Sequence, residues 1–301
     1  MIEAWIPITI AAAFFQNLRS ALQKHLKGRL SNSGAAYARF FYALPIALLL
    51  VIALNRFGAL EWPQIHLRFL FYCTLGGISQ ILFTVFLLWM FSFRSFAVGT
   101  TISKLEVVMV AILGFVILDD TLNPWAILAI VLSSLGLLAL GAGQEKLNLR
   151  SLLAGLSHRS TLIGLVCAGW LGASVVFFRA ASLSLQHDSV VMAAAFSLTV
   201  SLLIQTILMG LWLTLREPGQ LSRVVAEWRW AGAVGVSGVL ASLGWFTAFT
   251  LQNASYVRAL GQVELVFTFI ATTVFFRERV SSLETLGILL VGGGIILILL
   301  A

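Results

Sequence analysis

The sequence predicts an all-α integral membrane protein: ten transmembrane helices, arranged as two inverted five-helix repeats. Three observations carry that prediction. Hydrophobic residues make up 60% of the 301 residues and charged residues only 10%, against about 25% charge in an average soluble domain. The apolar residues fall in continuous runs near the ~20-residue length that crosses a bilayer as a helix, without the alternation of barrel strands. The second half of the chain also repeats landmarks of the first at an offset of 158 residues.

Taken in order, the first run (about 4–24) has no basic segment before it and no small-residue cleavage site after it. It reads as a retained helix, not a signal peptide. Its Gln16, Asn17 and Arg19 cannot all face lipid, so part of it lines protein or water. The second run (35–54) holds Arg39 near its start, Tyr42 one turn later and Pro45 at mid-span. A proline there leaves one carbonyl without its donor and bends the helix, which suits a gate. Arg39 either snorkels to the membrane edge or holds a substrate carboxylate.

The third run (68–90) carries Gln80 and one broad aromatic face of Phe83, Phe86, Trp89 and Phe93. The fourth (96–118) contains Lys104 and Glu106, and the fifth (124–141) has no charge. Runs six (161–180) and seven (189–214) follow, the latter with Gln205. The eighth (230–250) has Gly232, Gly235 and Gly238 on one side of its sequence and Trp245, Phe246 and Phe249 on the other. The ninth (256–276) contains Arg258, Gln262 and Glu264; the tenth (283–300) has three consecutive glycines at 292–294. Lone glutamines are more often glue between helices than ligand contacts, and glycines permit close helix approach. The aromatic stripes are packing faces or the wall of a cavity that stacks apolar substrates.

The offset of 158 places Glu106 on Glu264, Asp120 on Glu278, Gly136 on Gly294 and Phe91 on Phe249 without a gap. Residues 1–150 and 151–301 are therefore two repeats within one membrane domain. Each has an odd number of spans, so the second must enter from the opposite face. That is the plan of alternating-access carriers, whose sites lie near the midplane between repeats. Glu106 and Glu264 are the acidic residues deep inside the runs; Glu284 stands only at the start of the tenth. A carboxylate at mid-helix costs about 2.5–3.5 kcal/mol on insertion scales. The pair is therefore expected to bind substrate or protons, with helix-to-helix glue as the alternative. Gln262 occupies the place of Lys104 in the second repeat. On one continuous helix Lys104 and Glu106 would point to opposite sides, and Arg258, near a run's outer end, is expected to snorkel.

Loop charge sets the expected orientation. Twelve basic residues flank one side (Lys24, Lys27, Arg29, Arg94, Lys146, Arg150, Arg159, Arg216, Arg223, Arg229, Arg277, Arg279) and three the other (Arg56, Arg68, Arg179). The richer side is cytoplasmic, and both termini face out of an inner, plasma-type membrane. The net charge of +7 thus reflects loops, not nucleic-acid binding.

Cys73 and Cys167 lie inside runs and the four histidines are scattered, so neither a disulfide framework nor a metal site is indicated. No phosphate-cradling Walker loop occurs, and no cofactor is expected. The longest loops (55–67, 142–160, 215–229) lack the cluster of His, Asp or Ser that a membrane enzyme would need.

Two stretches, "VILDDTLNPWAILAIVLSSLGLLAL" and "VFFRERVSSLETLGILLVGGGIILILL", resemble the repeat ending of the EamA-type family of the drug/metabolite transporter superfamily. Each has a charged turn followed by a glycine-bearing last helix, and the resemblance covers the whole chain. Many relatives have a proline in the fourth helix of each repeat, where this chain has Glu106 and Glu264. The resemblance implies a secondary transporter, with export the common direction, and no enzyme activity.

The residues add amphipathic metabolites as substrates, amino acids first. Glu106, Glu264 and Gln262 serve an ammonium group or a proton, and Arg39 a carboxylate. Asn17, Gln80, Trp89 and Trp245 supply polar and aromatic walls, and Pro45 the gate. Coupling to protons or simple uniport both fit. Translocation of a lipid or lipid-linked substrate is the rival reading. The fifth run, without charge, and the tenth, charged only at Glu284 at its start, suit contact with lipid or with a second copy of the chain.

Overall fold

The described part of the chain, in a computed structural model, comprises residues 3–26, 29–90, 101–144, 159–270 and 281–301. Its elements are α1 (Trp5–Leu26), α2 (Asn32–Arg56), α3 (Leu67–Met90), α4 (Glu106–Leu118), α5 (Pro124–Gln144), α6 (Arg159–Ser184), α7 (Val190–Arg216), α8 (Gln220–Ala226), α9 (Trp228–Leu251), α10 (Ala254–Gly261), α11 (Val263–Ile270) and α12 (Ser282–Leu300). Among the described residues there is no β-strand. Phe91, Phe93, Arg94, most of the 142–160 loop and the second charged turn, with Arg277, Glu278 and Arg279, lie outside the described residues.

Among the described residues eight stretches are long and apolar enough to cross a membrane, and the protein is a multi-pass membrane protein. The two expected spans missing from the eight have visible reasons. Helix α1 has the length, at 22 residues, but Gln16, Asn17, Arg19 and Gln23 dilute its hydropathy. The ninth expected span is described only as far as Ile270, as α10 and α11 of eight residues each separated at Gln262, and its residues 271–276 lie outside the described residues. The short helix α8 was not anticipated.

Helix ends follow capping chemistry. Ser31 accepts from the Gly34 N–H at 3.0 Å to start α2, and Ser189 from the Met192 N–H at 3.3 Å to start α7. Asn123 accepts from the Ala126 N–H at 2.7 Å ahead of Pro124, whose missing N–H costs nothing at a first helical position. Ser281 and Glu284 form a reciprocal capping box at α12. Asp119 ends α4 in the left-handed region, φ 54°, so that the N–H of Asp120 reaches the Gly114 carbonyl at 3.2 Å.

The helices gather into two compact units. The first is Met1–Ile81 with Phe177–Gln252, the second Leu82–Val176 with Asn253–Ala301. Each therefore draws on both sequence halves, because the apolar faces of first-half helices are covered by second-half helices. In the first unit α1 packs on α9, and α2 on α7 and α9. Tyr37, Phe40, Phe178, Leu198, Leu213 and Phe246 fill its core.

In the second unit α5 packs along α12, and α10 touches α4, α5 and α12. The α5–α12 contact is backbone against backbone: a Cβ on Gly136 would lie 2.7 Å from the Gly287 carbonyl oxygen, and one on Gly294 would collide with the Ser133 hydroxyl. Glycine is what allows this approach. The uncharged faces expected to meet lipid or a second copy thus meet each other on one side. Leu128, Val131 and Leu135 of α5, with Leu289 and Ile296 of α12, remain exposed on the other.

Candidate functional site

The site begins with two breaks in helical structure. The chain is helical at Thr101–Ser103, turns through Lys104 and Leu105, and restarts as α4 at Glu106. The turn is tight, with the Leu105 N–H bonded to the Ile102 carbonyl at 3.0 Å, an i to i−3 spacing. The second break has the same character. The Gln262 N–H reaches the Ala259 carbonyl at 3.3 Å, and the Leu265 N–H the Gln262 carbonyl at 2.9 Å. The two breaks fall at positions equated by the 158-residue offset. Neither contains a proline.

Each break creates a new helix start inside the apolar part of the chain, and each start carries a glutamate. Glu106 is in the first turn of α4 and Glu264 in the first turn of α11. Unbonded N–H groups and the helix dipole favour a negative charge there by about 0.3–1 kcal/mol, more when partly buried. That offsets part of the desolvation cost. Because Lys104 lies in the turn, it does not sit on the opposite face of Glu106's helix, as one continuous helix would require.

The larger compensation is Arg258. Its Nη2 pairs with Oε1 of Glu106, and each side chain is only 11% exposed. Arg258 therefore does not snorkel. It points inward from α10 and joins that helix to α4. Its neighbours Val257, Ala259 and Leu260 are fully buried, as are Val107 and Val110 beside Glu106. The charge of Glu264 also acts on Arg258. One guanidinium is thus within electrostatic reach of both members of the carboxylate pair. Gln262, buried at the second break, donates from Nε2 to the Arg258 carbonyl at 3.2 Å. It fastens the turn that carries the arginine.

The structure brings Glu106, Gln262, Glu264 and Arg258 into the second unit; sequence reasoning missed Arg258. The signal was present. Arg258 lies one helical turn before Gln262 and six residues before Glu264, on a stretch otherwise apolar or small. Trp89 also belongs to this unit. It is exposed and tilted against Phe86 with ring centres 6.0 Å apart. Phe83 and Phe86 pack on Ile163 and Cys167, so that part of the aromatic face is packing.

The other expected residues lie in the first unit. Gln80 accepts from Gln205 Nε2 at 2.7 Å, a helix-to-helix bond of the glue kind. Trp245 is buried, donates to Gln16 Oε1 at 3.0 Å and stacks on Phe249 at 5.7 Å. Asn17 is half-buried on α1. Arg39 lies over the Phe40 ring at 4.4 Å. Pro45 is on the exposed side of α2, which continues through it as one 25-residue helix. Among the described residues no group of three or more His, Cys, Asp or Glu is placed to hold a metal.

A family model described as "EamA-like transporter family" matches the chain twice, over residues 3–142 and 160–300. A solved chain described only as "Crystal structure of protein" is similar over 97% of this chain and 97% of its own, at 14% identity and a TM-score of 0.69. At that identity the likeness speaks to the fold alone. No curated protein matches the chain.

Proposed function

Because the chain belongs to the EamA-like transporter family, we propose that it is a secondary exporter of small amphipathic metabolites, amino acids first, working by alternating access. The observation that carries this reading is the buried Glu106–Arg258 pair, with Glu264 acting on the same arginine. Interrupted helices whose ends face one another with charged groups are where carriers of this kind bind solutes and coupling ions.

Arg258 has two carboxylates to satisfy. In this reading Glu106 keeps the arginine, and Glu264 is the carboxylate that takes a substrate ammonium or a proton. Arrival of that cation removes the pull of Glu264 on Arg258 and leaves the Glu106 pair intact. Departure restores the competition. A differential interaction of this sort is what a ligand needs to shift a conformational equilibrium. Trp89, which belongs to the same unit as this site, is proposed to supply apolar wall.

The orientation follows the 12-to-3 loop charge bias, with both termini outside an inner membrane. A reporter active only in the cytoplasm, fused to the C-terminus, is expected to stay silent; strong signal overturns the orientation.

The function is tested with purified protein in vesicles loaded with labelled amino acids, across about pH 5.5–8.5. Glu264→Gln removes titration and keeps shape and most hydrogen bonding. It is expected to fold normally and to lose flux or its pH dependence. Glu106→Gln is expected to lose flux and some stability, since it removes the arginine's partner. Wild-type rates and wild-type pH dependence in both variants would sink the reading.

A further inference from the structure

Two histidines tie the α2–α3 connection to the α6–α7 connection, both in the first unit. His66 stands just before α3. Its Nδ1 is 3.0 Å from the backbone N of Phe69, and its Nε2 is 2.8 Å from the carbonyl oxygen of Ser184, the last residue of α6. His187 stands before α7 in the same manner. Its Nδ1 is 2.9 Å from the backbone N of Ser189, and its Nε2 is 3.0 Å from the carbonyl oxygen of Glu61 in the α2–α3 connection. Each connection thus reaches across to the other.

These partners fix the protons. A backbone N–H only donates, so each Nδ1 is a bare acceptor; a carbonyl oxygen only accepts, so each Nε2 carries the hydrogen. Both rings are therefore neutral. A further proton would go on Nδ1 and set N–H against N–H. The ring is rigid, so moving Nδ1 away from the amide also withdraws Nε2 from the opposite carbonyl. Histidine changes charge between about pH 5 and 8.

The charged residues of these connections and the adjoining helix ends are Arg56, Glu61, Arg68, Arg179 and Asp188. Arg68 lies over the Tyr72 ring at 5.6 Å, and Arg179 donates to the Gln252 carbonyl at 3.1 Å. Among the described residues neither imidazole has a carboxylate within ion-pair distance to hold it charged. The core beneath, with Val51, Phe69, Ala181, Leu185, Met192 and Phe196, is apolar. Each connection also holds one residue in the left-handed region, Ala59 at φ 50° and Gln186 at φ 48°. Residues other than glycine are uncommon there, so each connection has a conformation to relax into once untied.

We propose that His66 and His187 form a proton-operated latch, closed when both rings are neutral and released when either is protonated. Its place gives it consequence. The His66 bond joins the start of α3 to the end of α6, and among the described helices these two are the ones whose residues fall in both units. Under the orientation proposed above the latch answers to pH outside the membrane; its test does not depend on that orientation or on transport.

The test uses the full-length protein in nanodiscs, without substrate. Nitrogen NMR of 15N-histidine-labelled protein, assigned with His66→Asn and His187→Asn, is expected to show the Nε2–H tautomer at both rings near about pH 8. Amide exchange across the two connections, corrected for the intrinsic effect of pH, should rise by about tenfold or more between about pH 8 and about pH 5. In the double asparagine variant, whose side-chain oxygens still accept from the two amides but do not titrate, that step should vanish. The wild-type readings stand even if the variant fails to fold. An Nδ1–H tautomer at either ring, no exchange step in wild type, or an unchanged step in the folded double variant overturns the proposal.

Discussion

In the second unit Arg258 meets a carboxylate, Glu106; in the first, Arg39 shares the flank of Gly238 with a second arginine, Arg19. The two regions bring the same chemical group into the apolar part of the chain in opposite ways. An ion pair is neutral as a whole, so its cost is spread over the fold and removing one partner exposes all of it. Arg19 and Arg39 set two like charges against one helix, close enough to act on one another. The comparison teaches that one unit matches a buried guanidinium with a carboxylate, while the other lays two arginine stems side by side on a glycine.

The sharpest break between them is expected from Arg258→Gln. It strands Glu106, and breaking a buried pair costs about 3–5 kcal/mol. Thermal unfolding of the purified protein should show a large fall. The double variant Glu106→Gln with Arg258→Gln should recover most of the stability and none of the flux. If the single arginine variant unfolds like wild type, the pair contributes no more than a surface contact, and the contrast between the units fails.

Gly294→Leu separates packing from charge inside the second unit. Its side chain would enter the contact with Ser133 on α5, and overpacking of this sort costs about 1–3 kcal/mol. Stability is expected to fall while the pH dependence of transport keeps its wild-type shape. A flattened pH profile would mean that the α5–α12 contact sets the carboxylate site, and that charge and packing cannot be told apart there.

How far these differences were legible in the sequence depends on the residue. The helices were legible because bilayer-length apolar runs have few other readings; α2, α3, α6, α7, α9 and α12 lie close to the runs expected for them. Glu106 and Glu264 stood out as the acids deep within those runs. Arg258 did not, because a cation near the end of an apolar run has an inexpensive exit by snorkelling. Sequence cannot say that α10 ends after eight residues and leaves the arginine inside.

The breaks themselves were hidden for a related reason. Neither has a proline, and a tightened turn at Lys104 or Gln262 leaves hydropathy unchanged. The Arg19–Arg39 meeting was beyond reach, since it depends on how α1 and α2 both lie on α9. The division into units that each mix the two repeats was also illegible, because a repeat register records similarity and not contact.

A smaller effect sharpens the other side of the comparison. Arg39→Gln removes one of two like charges. Its stability is therefore expected within about 1 kcal/mol of wild type, or above it. That is the reverse of Arg258→Gln. A fall as large as that of Arg258→Gln would mean that Arg39 is structurally compensated after all, and would remove the asymmetry between the units.

The smallest effect is expected at Pro45, where α2 of the first unit runs unbroken past a residue that cannot donate a hydrogen bond. The carbonyl of Phe41, four residues earlier, loses its usual partner there. Pro45 is exposed, so replacing it disturbs no core contact, and the change acts on the backbone alone. Pro45→Ala supplies the missing N–H and should stiffen α2 and raise the unfolding temperature slightly. If α2 bends during the cycle, that stiffening falls on the moving step. Turnover should then drop by about twofold to fivefold, a barrier change of about 1 kcal/mol or less, while substrate affinity stays the same. Affinity by titration and turnover in vesicles separate the two. Unchanged turnover with raised stability would leave Pro45 as a static kink, and the gate would have to be sought in the interrupted helices of the second unit instead.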